Sequence, residues 1–108
     1  MPNDHPAVLR VIPTQAARAD LVYIREYSLE QFGPDIADEY FLGFEAAFDR
    51  LAGFPLSGSA HAELGKDIRC LVHRRHRIFY TVQGDTVLII RIVHHAMDVR
   101  QALKGAVG

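Results

Sequence analysis

The chain has 108 residues, 49% of them hydrophobic and 23% charged. That balance is one of a single globular domain, and it excludes a disordered tail, a collagen-like repeat and a coiled-coil rod. One cysteine excludes an intrachain disulfide framework and a multi-cysteine zinc site, and a net charge of −1 argues on its face against nucleic-acid binding.

Ala7–Ile12 is a short β-prone run that Pro13 stops, and Thr14 is placed to cap a helix. From Gln15 to Phe32 the apolar residues Ala17, Leu21 and Ile24 recur at helical steps. Gly33 ends that helix and Pro34 opens a second, with Asp35 in its first turn. Ala37, Phe41, Phe44, Phe48 and Leu51 recur at steps of four and three, so the second helix runs to Leu51 or Ala52 and its phenylalanine stripe is core. A link this short between two amphipathic helices makes an antiparallel helical hairpin. Phe54–Lys66, with Pro55, Gly58 and Gly65, reads as a surface loop.

The period then changes to two. Strands are expected at Asp67–His73, Arg77–Gln83 and Thr86–His94, with Gly84–Asp85 as a two-residue type II′ turn. That turn sets Thr81 opposite Leu88, Tyr80 opposite Ile89, Phe79 opposite Ile90, Ile78 opposite Arg91 and Arg77 opposite Ile92. The last strand is apolar on both faces and belongs in the middle of the sheet. The tail Met97–Gly108 makes at most a loose helical turn or two. The expected fold is α+β: a helical hairpin on a mostly antiparallel four-stranded sheet in the order β-α-α-β-β-β. Arg69, Arg91 and Tyr80 fall on the sheet's other, less covered face. Residues 1–6 and 105–108 are expected to be flexible. No stretch approaches the roughly 20 apolar residues of a membrane span, and Met1–Pro13 lacks a signal-peptide core, so a soluble cytoplasmic protein is expected.

The net charge conceals a gradient. Residues 1–60 hold four bases against nine acids, a net of −5. Residues 61–108 hold eight bases against four acids, a net of +4, with five of the six histidines. An acidic hairpin is thus joined to a basic sheet, which suits an acidic or polyanionic partner. The alternative is that Arg74, Arg75 and Arg77 merely solvate a turn.

Three stretches carry a resemblance: ARADLVYIREYSLEQFG in the first helix, AFDRLAGFPLSG at the end of the second, and DIRCLVHRRHRIFYTVQGDTVLIIRIVHHAMD in the sheet. From about Ala16 to Leu103 the chain resembles the RelE/ParE superfamily of toxins of bacterial type II toxin–antitoxin systems. The ParE branch is the nearer, through Arg69, Tyr80, Arg91, His94 and Asp98. That resemblance implies an inhibitor of DNA gyrase, held inactive in a hetero-oligomer by a cognate antitoxin, with no cofactor. The RelE branch implies instead cleavage of messenger RNA on the ribosome. RelE-like enzymes use lysines, arginines and a late tyrosine or histidine, whereas this chain has only Lys66 and Lys104 and no tyrosine after Tyr80.

Residue by residue, the readings are open. Arg69 and Arg91 interrupt apolar strands, and serve either to hold an anion or antitoxin carboxylate or to make a structural salt bridge with Asp67 or Asp98. For a nuclease the candidate catalytic groups are Arg69, Tyr80, Arg91, His94 and His95. For target or antitoxin binding they are Arg69, Arg74, Arg75, Arg77, Arg91, His94, Asp98 and Arg100. His73, His76, His94 and His95 are not expected to share a metal ion, because His94 and His95 would point to opposite faces. Tyr80 and Cys70 read first as core residues.

Overall fold

The computed structural model describes residues 8–107, with side chains through Lys104. The ends expected to be flexible lie largely outside those residues. In chain order the elements are β1 (Arg10–Pro13), α1 (Gln15–Phe32), α2 (Pro34–Gly53), β2 (Ser59–Ala60), a 3-10 turn at Ala62–Leu64, β3 (Arg69–His73), β4 (His76–Gln83), β5 (Thr86–His94) and α3 (Val99–Val107). They build an α+β fold around one sheet in the order β1-β5-β4-β3-β2. β1 runs parallel to β5, and the other pairs are antiparallel.

The sheet has five strands, not four. The extra one, β2, lies within the expected loop, where Ser59 and Ala60 pair with Cys70 and Arg69. β4, not β5, is the middle strand; β5 is nonetheless interior, between β1 and β4, as its apolar residues on both faces require. Thr14 caps α1 by accepting from the Ala17 N–H at 3.1 Å, and its own hydroxyl donates to the Ile90 carbonyl at 2.9 Å. One bond starts the helix and the other ties it to the sheet.

The β4–β5 register matches expectation only near the turn, where Gly84 takes φ 59. Tyr80 pairs with Ile89, but Phe79 pairs with Arg91, Ile78 with Ile92 and Arg77 with Val93. Ile90 is therefore an inserted residue, and the expected pairs Phe79–Ile90, Ile78–Arg91 and Arg77–Ile92 do not form. A bulge adds one residue to one strand and re-aims everything beyond it. Here it moves Ile92 onto the hairpin side and Val93 onto the opposite side.

The sheet is covered on both faces. The hairpin side holds Ala17, Ile24, Phe44, Leu51, Ile78, Tyr80, Val87, Ile89 and Ile92. Phe44 is the buried centre of the phenylalanine stripe, while Phe41 and Phe48 are partly buried around it. The opposite side holds Ile68, Cys70, Phe79, Ile90 and Val93, closed by Ala102 and Leu103 of α3. The tail expected to form a loose turn is thus a nine-residue helix that completes a second core. Tyr80 is fully buried on the hairpin side, and Arg69 pairs directly opposite it, so neither occupies the other face.

Candidate functional site

Arg91 is consumed by the fold. Its Nε and Nη2 donate to the two carboxylate oxygens of Asp20 in α1, each at 2.7 Å, and its Nη1 donates to the Ala102 carbonyl of α3 at 2.8 Å. Asp20 also accepts the Ile92 N–H at 2.9 Å, beyond the Pro13–Ile89 pair where β1 stops. A single carboxylate thereby satisfies a guanidinium and a backbone N–H of β5 beyond the end of β1. Bonding to Asp20 raises the pKa of Arg91, so the cation is permanent. The salt bridge foreseen with Asp67 or Asp98 is made with Asp20 instead. The sequence did hold a signal: Asp20 interrupts the apolar stripe of Ala17, Leu21 and Ile24.

Tyr80 and Arg69 hold a loop. The Tyr80 hydroxyl donates to the Pro55 carbonyl at 2.7 Å and accepts the Gly58 N–H at 2.9 Å. A Cβ on Gly58 would come within 2.6 Å of that hydroxyl and 2.7 Å of the Cys70 carbonyl, so only glycine fits. Arg69 donates from Nη1 to the Gly58 carbonyl at 2.7 Å and, more weakly, to that of Leu56 at 3.4 Å. Burial raises the Tyr80 pKa. With the hydroxyl twice bonded and buried, it has no free path to a substrate.

Arg74, Arg75, His94 and His95 meet at one end of the sheet. Arg74 takes φ 53 in the two-residue turn between β3 and β4, and its guanidinium lies 5.9 Å from the centre of the Tyr40 ring. The Arg75 carbonyl receives the His95 backbone N–H at 2.8 Å, with the His95 Nδ1 at 3.3 Å. Around them four histidines form a chain of rings with Tyr40: Tyr40–His73 at 5.0 Å, His76–His94 at 5.5 Å and His94–His95 at 4.4 Å. The expectation that His94 and His95 diverge fails, because His95 lies past the strand end and alternation no longer applies.

Ring chemistry argues against a metal here. The His94 Nδ1 accepts the Ala96 N–H at 3.1 Å, so in the neutral ring the proton sits on Nε2. A metal-bound histidine normally donates its second nitrogen rather than accepting with it. Among the described residues no group of three His, Cys, Asp or Glu side chains is arranged to hold an ion. His76 meets the Tyr40 hydroxyl at 2.6 Å, and burial, its main cause, lowers its pKa to about 4. Burial also lowers His73 and raises Tyr40. These groups are neutral packing partners at pH 7.

Beside that end, on the α3 side, opens a cleft of about 380 Å³ lined by Arg77, His95, Asp98 and Arg100 together with His61 and Glu63. Phe79, Leu64 and Val99 make its apolar walls. Asp98 caps α3, its Oδ1 accepting from the N–H groups of Arg100 and Gln101 at 3.1 and 3.3 Å. His61 is held between the Ser59 hydroxyl at 3.2 Å and the Glu63 carboxylate at 3.0 Å. Its own backbone bond and His61 hold the Glu63 carboxyl below its usual pKa. Sequence reasoning missed His61 and Glu63, since a histidine two residues before an acid in a loop has no periodic signature.

The structure therefore separates the sequence candidates into three groups. Arg77, His95, Asp98 and Arg100 share the cleft. Arg74, Arg75 and His94 lie at the adjoining end of the sheet, while Arg69, Tyr80 and Arg91 bind their own chain.

Comparison with known proteins places this arrangement. The family model described as "ParE toxin of type II toxin-antitoxin system, parDE" matches residues 11–99. The protein named Toxin ParE1 of Mycobacterium tuberculosis is 34% identical over 95 residues, covering 87% of this chain and 97% of that protein. Toxin ParE1 of Caulobacter vibrioides is 32% identical over 90 residues, covering 83% and 93%. In fold, the chain is similar to one in the chromosomal ParDE TA system from P. aeruginosa, with a TM-score of 0.69 at 21% identity over 82% of this chain and 97% of that one. It is similar also to one in the toxin–antitoxin complex RelBE2 from M. tuberculosis, with a TM-score of 0.60 at 24% identity over 88% and 100%.

Proposed function

Since the chain belongs to the ParE toxin family of type II toxin–antitoxin systems, we propose that it acts in the bacterial cytoplasm by inhibiting DNA gyrase. A cognate antitoxin holds it inactive in a hetero-oligomer. The observation that carries this reading is the family match, which runs from within β1 through α1, α2 and β2 to β5, over residues 11–99. The use of side chains supports it. Tyr80 and Arg91, which a sheet-based nuclease would need free, spend their polar groups on Pro55, Gly58, Asp20 and Ala102. What remains is a cationic end of the sheet and, beside it, a cleft lined by Arg77, His95, Asp98 and Arg100 that can hold a partner. Purified gyrase should lose supercoiling activity when the chain is added in excess. Full activity under those conditions would remove the proposal.

The second reading, cleavage of messenger RNA on the ribosome, draws on one feature. His61, oriented by Glu63, shares the cleft with Arg77 and Arg100, a base beside two cations. On this reading, programmed ribosomes treated with the chain yield new 5′ ends in primer extension, and His61→Ala abolishes them.

A further inference from the structure

The loop that Tyr80 and Arg69 hold carries the strongest unassigned feature of the molecule. Phe54 and Leu56 are 70% and 65% exposed. Beside them lies an open groove of about 690 Å³ lined by Arg50, Gly53, Phe54, Pro55, Leu56 and Ser57. The backbone under these side chains is fixed at nearly every residue. Phe54 N–H donates to the Arg50 carbonyl at 2.7 Å and Ser57 N–H to the Phe54 carbonyl at 3.0 Å. Tyr80 holds Pro55 and Gly58, and Arg69 holds Leu56 and Gly58. The fold thus uses two polar side chains of the sheet to hold two large apolar side chains out in water. A fixed loop presenting exposed apolar anchors loses little entropy when something covers it.

The groove also states what its occupant must offer. Among the described residues Arg50 is the one charged side chain lining the groove, and no acidic side chain lines it. Apolar anchors and a guanidinium without an acid in the groove together suit a segment with an apolar side chain flanked by a carboxylate.

We propose that Phe54–Ser57 with Arg50 is a preformed docking surface for the cognate antitoxin, and that it takes an acidic, apolar segment of that protein. This rests on the toxin–antitoxin reading above and adds where the antitoxin binds and by what chemistry.

The test uses the full chain and its cognate antitoxin, titrated by calorimetry. The double variant Phe54→Ser, Leu56→Ser should weaken binding about 100-fold, since apolar hot spots carry most of an interface's affinity. Arg50→Glu should weaken it about 10-fold through repulsion of the carboxylate. Circular dichroism checks that the variants fold. Independently of any variant, the amides of residues 54–58 in the wild-type chain should exchange more slowly once antitoxin is bound. Variants that bind as tightly as wild type, with unchanged exchange in the loop, would overturn the docking surface and leave the toxin–antitoxin reading standing. No binding by the wild-type chain would sink that reading and this one with it. If the variants instead convert a dimer of the free chain to monomer with antitoxin affinity intact, the surface is a self-interface and the proposal is wrong.

Discussion

The two faces of the sheet are both closed, but by different means. On the hairpin side, helices of 18 and 20 residues lie over a core that includes Phe44, Leu51 and Tyr80. On the other side a nine-residue helix sets Ala102 and Leu103 on Cys70, Phe79, Ile90 and Val93. A helix that short is marginal in water and persists only through what it packs against. Its polar attachments are the Asp98 cap and the Arg91 bond to the Ala102 carbonyl. The hairpin face is therefore expected to set the global stability. The α3 face, which forms one wall of the cleft, is expected to lift separately.

Truncating the largest helical side chain of each core sharpens that contrast most. Phe44→Ala should cost about 4 kcal/mol, seen as a lower urea midpoint for the whole chain. Leu103→Ala should shift the global midpoint by less than half as much. Its effect should appear as faster amide exchange confined to residues 99–107, where α3 lifts without the sheet unfolding. Equal global shifts would show that the two faces unfold as one unit.

Asp20→Ala tests the link between the faces, because this carboxylate joins α1 to β5 and, through Arg91, to α3. Arg91 and Asp20 are both mostly buried, at 20% and 13% side-chain exposure, so leaving Arg91 and the Ile92 N–H unpaired should cost about 3 kcal/mol by urea unfolding. Exchange should also quicken in α3, which no longer has its arginine held in place.

The histidine end gives a pH dependence. The folded pKa of His76 is about 4, below its ordinary 6.5. As pH falls, the unfolded chain takes up the proton before the folded one does. The stabilisation is complete above pH 6.5 and is lost as pH drops from 6.5 to 4. His73, also lowered by burial, adds in the same sense. With His76 only half buried and solvent screening the charge, the loss should be on the order of 1 kcal/mol. Urea midpoints at about pH 7.5 and about pH 4.5, on either side of the ordinary histidine range, measure it. His76→Gln should narrow the gap between them. An effect of similar size is expected of Thr14→Ala. It removes the α1 cap and the bond to Ile90, and should cost about 1 kcal/mol in thermal or urea unfolding.

Much of the fold was legible because it is local. Thr14, the stripe from Ala37 to Leu51 and the Gly33–Pro34 break specify the hairpin through contacts three and four residues apart. Gly84 specifies the β4–β5 turn and so the first pairs of its ladder. The site was legible only in part. Arg77, His95, Asp98 and Arg100 could be singled out as charged or titratable groups in or after strands. That His61 and Glu63 join them depends on how the loop after α2 returns along β3.

By itself the sequence determined the order of elements, the apolar face of α2, the interior place of β5 and the division of charge between the two halves. These arise from periodicity, turn chemistry and composition, which act within a few residues. Only the tertiary structure decided the Ile90 bulge, the short fifth strand, the closure of the second face by α3 and the pairing of Arg91 with Asp20, 71 positions away. Each arises from groups distant in the chain that must satisfy one another once buried. A charged residue in a strand announces that it needs a partner, but only the folded chain determines which one it meets.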